Sequence, residues 1–123
     1  MSTDAYLGNP NLKKVNTPVQ FTEEQILEYQ KCANDPLYFM EKYIQIVSLD
    51  KGLVPFKMYD FQKKIVDTIH NNRFTICKLP RQSGKSTTTI SYLLHYALFN
   101  ANSNIALLAN KSSTARDILS RLQ

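Results

Sequence analysis

Phe74-Thr75-Ile76-Cys77-Lys78-Leu79-Pro80-Arg81-Gln82-Ser83-Gly84-Lys85-Ser86-Thr87 decides how the rest of the chain is read. The apolar run 74–79 predicts a buried strand. A tight polar loop follows and ends Gly-Lys-Ser-Thr. Residues 88–99, rich in Ile90, Leu93, Leu94, Ala97 and Phe99, predict a helix. Strand, Gly-Lys-Ser loop and helix, in that order, are the pattern of a phosphate-binding loop. In such a loop, consecutive backbone N–H groups and a helix N-terminus converge on phosphate oxygens. Here those groups would come from Gln82, Ser83, Gly84, Lys85, Ser86 and Thr87. Gly84 allows close approach, Lys85 supplies a point charge at the β/γ-phosphates, and the Ser86 hydroxyl suits Mg²⁺.

One position departs from the pattern. The motif places a glycine five residues before Gly84, and Leu79 stands there. Arg81 lies inside the loop, where a guanidinium could reach γ-phosphate oxygens and offset developing charge. A surface arginine paired with a carboxylate would read the same.

Working outward, 123 residues suffice for one small domain, and 43% apolar with 20% charged residues excludes a disordered chain. No apolar run reaches the roughly 18–20 residues of a membrane span. The first residues, Met-Ser-Thr-Asp-Ala-Tyr, lack the basic and apolar regions of a secretory signal. Cys32 and Cys77 are far apart, with no Cys-x-x-Cys and no paired histidines, which argues against zinc and fits a reducing compartment. Cys77, inside the apolar run, reads as a small core residue. The net charge of +5 is uneven. Residues 1–50 hold four basic and seven acidic side chains, and the remainder eleven and three. A basic second half suits a polyanion partner, nucleotide or nucleic acid, or is simply a solvated basic surface.

Residues 1–20 read as an extended arm with turns at Gly8-Asn9-Pro10 and Asn16-Thr17-Pro18. Thr22 to Gln25 has the capping-box spacing, so a helix is predicted over about 23–33. Pro36 opens a second helix, with an apolar face of Leu37, Phe39, Met40, Tyr43, Ile44 and Val47. That stripe reads as core. Asp50-Lys51-Gly52 is a turn, and 53–57 an irregular connection broken by Pro55. A helix is predicted over 59–70, with Phe61, Ile65, Val66 and Ile69 on one face. After the loop and its helix, the continuous apolar run 104–109 predicts a second buried strand, and 114–122 a last helix. The order β-α-β-α predicts a parallel sheet with right-handed crossovers. Only two strands are visible, so the chain reads as the start of a larger α/β domain. The expected division is a helical N-terminal segment, 1–50, followed by 51–123.

Tyr59-Asp60-Phe61-Gln62 ends 22 residues before Gly84. A glutamine amide can pair with the N6/N7 edge of adenine, and a neighbouring aromatic can stack on the base. An ordinary amphipathic helix carries the same letters. Asn110-Lys111-Ser112-Ser113 follows the second strand, where α/β sheets bind ligands. It suits a nucleic-acid phosphate, or is a plain helix cap. His70 and His95 read as structural residues.

Three stretches together carry a resemblance: Tyr-Asp-Phe-Gln (59–62), Arg-Gln-Ser-Gly-Lys-Ser-Thr (81–87) and Ile-Ala-Leu-Leu-Ala-Asn-Lys (105–111). They resemble the N-terminal ATPase domain of the terminase large subunits of T-even-like tailed phages. Residues 8–14 and 31–43 also look like the segment that precedes that domain. The arginine-bearing loop without a first glycine is a habit of this family.

The resemblance implies an α/β P-loop ATPase of the RecA/helicase-like kind that uses ATP and Mg²⁺ to move viral double-stranded DNA into a prohead. It implies a portal, a terminase small subunit and a homo-oligomeric ring as partners, and the host cytoplasm as location. Carried over, Lys85 and Ser86 hold phosphate and Mg²⁺. Arg81 senses or stabilises the γ-phosphate, and Phe61 with Gln62 lies in the adenine-recognition motif. The family's next motif, an apolar strand ending Asp-Glu, does not occur before Gln123, and the nuclease carboxylates are missing as well. The expectation is therefore an N-terminal piece that binds nucleotide weakly and does not turn it over alone. A helicase-like ATPase and a non-catalytic nucleotide-binding piece remain the alternatives.

Overall fold

The computed structural model describes residues 5–7 and 9–122. The turn expected at Gly8 lies outside the described residues. Strands β1 (Ala5–Tyr6) and β2 (Asn9–Lys13) pair antiparallel in what was read as an extended arm.

Helix α1 (Glu23–Asn34) starts where the capping box predicts. Gln25 N–H donates to Thr22 Oγ1 at 3.3 Å, and Thr22 N–H donates to Gln25 Oε1 at 3.0 Å. Such a cap is worth about 1 kcal/mol. Helix α2 (Pro36–Tyr43) has Pro36 in its first turn, and the Asp35 carboxylate accepts from Tyr38 N–H at 3.1 Å. The helix stops at Tyr43. Its expected continuation to Val47 is instead β3 (Gln45–Ser48), and the expected irregular connection is β4 (Gly52–Pro55). These two strands form an antiparallel hairpin in which Ile46 faces Val54 and Val47 faces Leu53. β-Branched residues on both sides of the Asp50-Lys51-Gly52 turn favour it. Gly52 takes φ +69°, where a side chain would be strained. Helices α3 (Asp60–Asn71), α4 (Lys85–Phe99) and α5 (Ser112–Ser120) match the expected helices to within a few residues.

The core lies among α2, α3 and α4, with α1 and β4 packed on α2. Met40 and Val66 are fully buried, and Cys32, Phe39, Phe56, Met58 and Tyr92 surround them. Each large apolar side chain taken from water contributes about 1.5–3 kcal/mol. The core therefore draws on both sides of residue 51. On the rim between α1 and α2, Glu28 gathers Lys42 and the Tyr38 and Tyr43 hydroxyls, which holds its carboxyl down at about 2.

The two apolar runs expected as parallel strands, 74–79 and 104–109, form no ladder, and every strand pair among the described residues is antiparallel. A strand's N–H and C=O groups are satisfied by neighbouring strands. Without them these runs expose apolar side chains: Phe74 at 82%, Ile76 at 97% and Leu108 at 89%. Cys77, expected in a core, is exposed for the same reason. Among the described residues no helix is long and apolar enough to cross a membrane.

Candidate functional site

Gly84 ends the loop as the N-cap of α4 with φ +73° and ψ 14°. Gln82 also has positive φ, at 60°, whereas Ser83 and Lys85 do not. The sign of φ thus alternates along 82–85. Alternation of this kind turns successive N–H groups towards one concavity and makes an anion-binding nest. A left-handed glutamine is uncommon, and such backbone strain concentrates at ligand sites.

The first hydrogen bond of α4 runs from Thr88 N–H to the Gly84 carbonyl at 3.0 Å. The Lys85, Ser86 and Thr87 N–H groups therefore have no acceptor among the described residues, as in the first turn of any helix. The Thr88 hydroxyl, fully buried, donates to the same Gly84 carbonyl at 2.9 Å and fixes the loop's end to the helix. Ser83 Oγ donates to the Pro80 carbonyl at 2.9 Å, and Lys85 Nζ donates to the Leu79 carbonyl at 3.3 Å. The lysine thus closes the loop on itself. Leu79, in the position where the motif expects a glycine, takes part through its backbone carbonyl.

Gln62 is buried in the first turn of α3. Its Oε1 accepts from Tyr59 N–H at 2.9 Å and caps the helix. Its Nε2 lies against Gly84, 2.6 Å from where a Cβ would stand. The structure therefore brings the expected adenine residue and the end of the expected phosphate-binding loop into direct contact across 22 positions of sequence. Phe61, half exposed, stacks on the more exposed Tyr59 ring, with centroids 5.9 Å apart and planes 8° from parallel.

Other expected residues are arranged more loosely. Arg81 is exposed and makes no ion pair among the described residues. The Ser86 side chain is exposed at the helix start. Thr87 lines a groove with Ile46, Val47, Ile90 and Leu94. Lys111 is the N-cap residue of α5 and exposed, with no side-chain cap bond. No cluster of three or more His, Cys, Asp or Glu side chains occurs among the described residues. A Mg²⁺ held here would rely on Ser86, on phosphate oxygens and on water.

Sequence reading overlooked the left-handed Gln82 and the Thr88 bonds to Gly84. Thr88, four positions after Gly84, was readable as a side chain able to bond back one turn. Gln82 carried no such signal. No protein-family model matches the sequence.

Proposed function

We propose that the chain binds ATP with Mg²⁺ and is the N-terminal ATPase portion of a viral DNA-packaging motor of the terminase large-subunit kind. The observation that carries the reading is the contact of Gln62 Nε2 with Gly84 at the mouth of an alternating-φ loop. A bland βα turn would need neither the buried amide nor the left-handed glutamine. The sequence resemblance at 59–62, 81–87 and 105–111 supplies the particular motor.

In this reading the nest N–H groups of 82–87 and Lys85 bind the β/γ-phosphates, Lys85 exchanging the Leu79 carbonyl for phosphate. Ser86 holds Mg²⁺, which neutralises phosphate charge when bound. Gln62 and Phe61 orient the adenine. Arg81, exposed and without an ion pair among the described residues, meets charge that grows on the γ-phosphate. The runs 74–79 and 104–109 become parallel strands once neighbouring strands complete the sheet. Double-stranded viral DNA, a prohead portal and a small subunit are the partners, and the motor is a homo-oligomeric ring in the host cytoplasm.

Asp117 is the sole carboxylate side chain between Phe74 and Gln123. Activating water and holding the metal in this class takes acids beyond the phosphate loop. The 123-residue chain therefore binds nucleotide without turning it over. Titration with Mg-ATP and Mg-GTP tests the reading. Tighter binding of ATP is expected, and equal absence of binding would remove it.

A further inference from the structure

Helix α4 carries the loop on its first turn, and ten residues further on His95 fastens it to the corner between α1 and α2. His95 is 3% exposed. Its Nε2 lies 2.8 Å from the Cys32 carbonyl oxygen. A carbonyl only accepts, so Nε2 bears the proton and donates. That carbonyl is open because the residue four positions on is Pro36, which has no N–H. The Asp35 N–H is committed to the Lys31 carbonyl at 3.0 Å. The imidazole is packed among Phe99, Phe39 and Tyr92, with ring centroids at 4.8, 5.4 and 6.3 Å.

Thr88, Tyr92, His95 and Phe99 recur at helical spacing on one face of α4. Thr88 ties that face to Gly84 through its N–H and its hydroxyl. A shift of the helix at His95 therefore reaches the loop through a continuous buried face. We propose that His95 is a positioning residue for the loop: as a neutral Nε2–H imidazole it locks α4 to the α1–α2 corner, and a proton taken up at Nδ1, which leaves the Nε2–H bond in place but puts a charge into the buried aromatic packing, releases the helix and loosens the loop. The consequence for nucleotide rests on the ATP-binding reading above.

The titratable groups facing His95 are few. From α1 comes Cys32, whose carbonyl meets the imidazole and whose thiol turns to Glu28, and from the corner the Asp35 carboxylate. Helix α2 presents the neutral Phe39. Lys42 and Tyr43, further along α2, are engaged with Glu28. Helix α3 contributes His70, whose Nδ1 meets the Tyr92 hydroxyl at 3.2 Å, and α4 contributes Tyr92 and Tyr96. Burial pushes the His95 imidazole down and His70 adds to this, against the Cys32 carbonyl and Asp35. A lowered imidazole is protonated first in the released state. The locked state is thus fully favoured above about 6.5 and loses favour as pH falls below it. One proton limits the effect to about tenfold per pH unit.

Imidazole ¹⁵N NMR of the wild-type chain from pH 8 to 5, with amide exchange along 88–91 corrected for intrinsic rates, tests the lock. The expected result is the Nε2–H tautomer at pH 8 and protection that falls below pH 6.5 by up to about tenfold per unit. His95→Gln, whose amide can donate to Cys32 but does not titrate, keeps the protection without the step. An Nδ1–H tautomer, pH-independent protection in wild type, or the same step in His95→Gln overturns the proposal. If His95→Gln does not fold, the wild-type tautomer and step decide alone. Mg-ATP affinity is the second arm and falls over the same range. Affinity that stays flat while exchange steps overturns the link to the loop. If Mg-ATP binds at no pH, the nucleotide reading fails, while tautomer and exchange still decide the lock.

Discussion

Gln62 Nε2 stands 2.6 Å from the point a Cβ on Gly84 would occupy, so any side chain there must displace the end of the Gln62 amide in the first turn of α3. Gly84→Ala meets two penalties. The left-handed backbone costs a side chain about 1–2 kcal/mol, and the Gln62 amide must leave its place. Urea denaturation should show at least the first loss. The double variant with Gln62→Ala should lose less than the sum of the two single variants, by about 0.5–3 kcal/mol of coupling. Strict additivity would mean the two residues do not press on each other.

Gln62→Ala alone removes the acceptor for Tyr59 N–H. A lost cap costs about 1 kcal/mol, read as a lower urea midpoint with unchanged m-value. The same variant should lose any preference for Mg-ATP over Mg-GTP. A lost cap with the preference intact would make Gln62 a structural residue only.

The contact between Gln62 and Gly84 also shows which parts of the molecule were legible in the sequence. The starts of α1 and α2 were legible because their signals are local: Thr22 with Gln25, and Pro36, each act within a turn, whereas α4 begins at Lys85, three residues before the expected start. The β3–β4 hairpin was hidden because Ile44 and Val47 happen to continue the helical spacing of Phe39, Met40 and Tyr43. The signal was there in the β-branched residues flanking Gly52. Residues 74–79 and 104–109 have strand-like sequences, yet a strand is a relation to a neighbour, and none pairs with them among the described residues. The residue types of the candidate site were legible. Its geometry was not, since φ at Gln82 and the fold-back of Lys85 onto Leu79 follow from loop closure.

Glu28 gives the chain an acid-sensitive rim. Hydrogen bonds from Lys42 first, and then from Tyr43, hold its carboxyl down from 4.5 to about 2. A lowered carboxyl contributes stability that is present above 4.5 and lost as pH falls towards 2. Thermal melts from pH 5 to 2 should show that loss. The loss should shrink in high salt, because the group is partly exposed and screened, and Glu28→Gln should remove this component.

Packing should separate Met40 from Leu49. Met40→Ala empties a fully buried site and should cost about 2–5 kcal/mol in urea denaturation. Leu49 is fully exposed, and Leu49→Ala should stay within about 0.5 kcal/mol of wild type.

Lys85 tests the central claim most directly, because its Nζ rests on the Leu79 carbonyl at 3.3 Å and in the proposed reading leaves it for phosphate. Calorimetric titration of Mg-ATP into the wild-type chain and Lys85→Ala is the measurement. A charge-assisted bond of about 1.5–3 kcal/mol predicts binding by wild type and roughly tenfold to a hundredfold weaker binding by the variant. Equal affinity in the two chains, or no binding in either, would contradict the phosphate-binding loop.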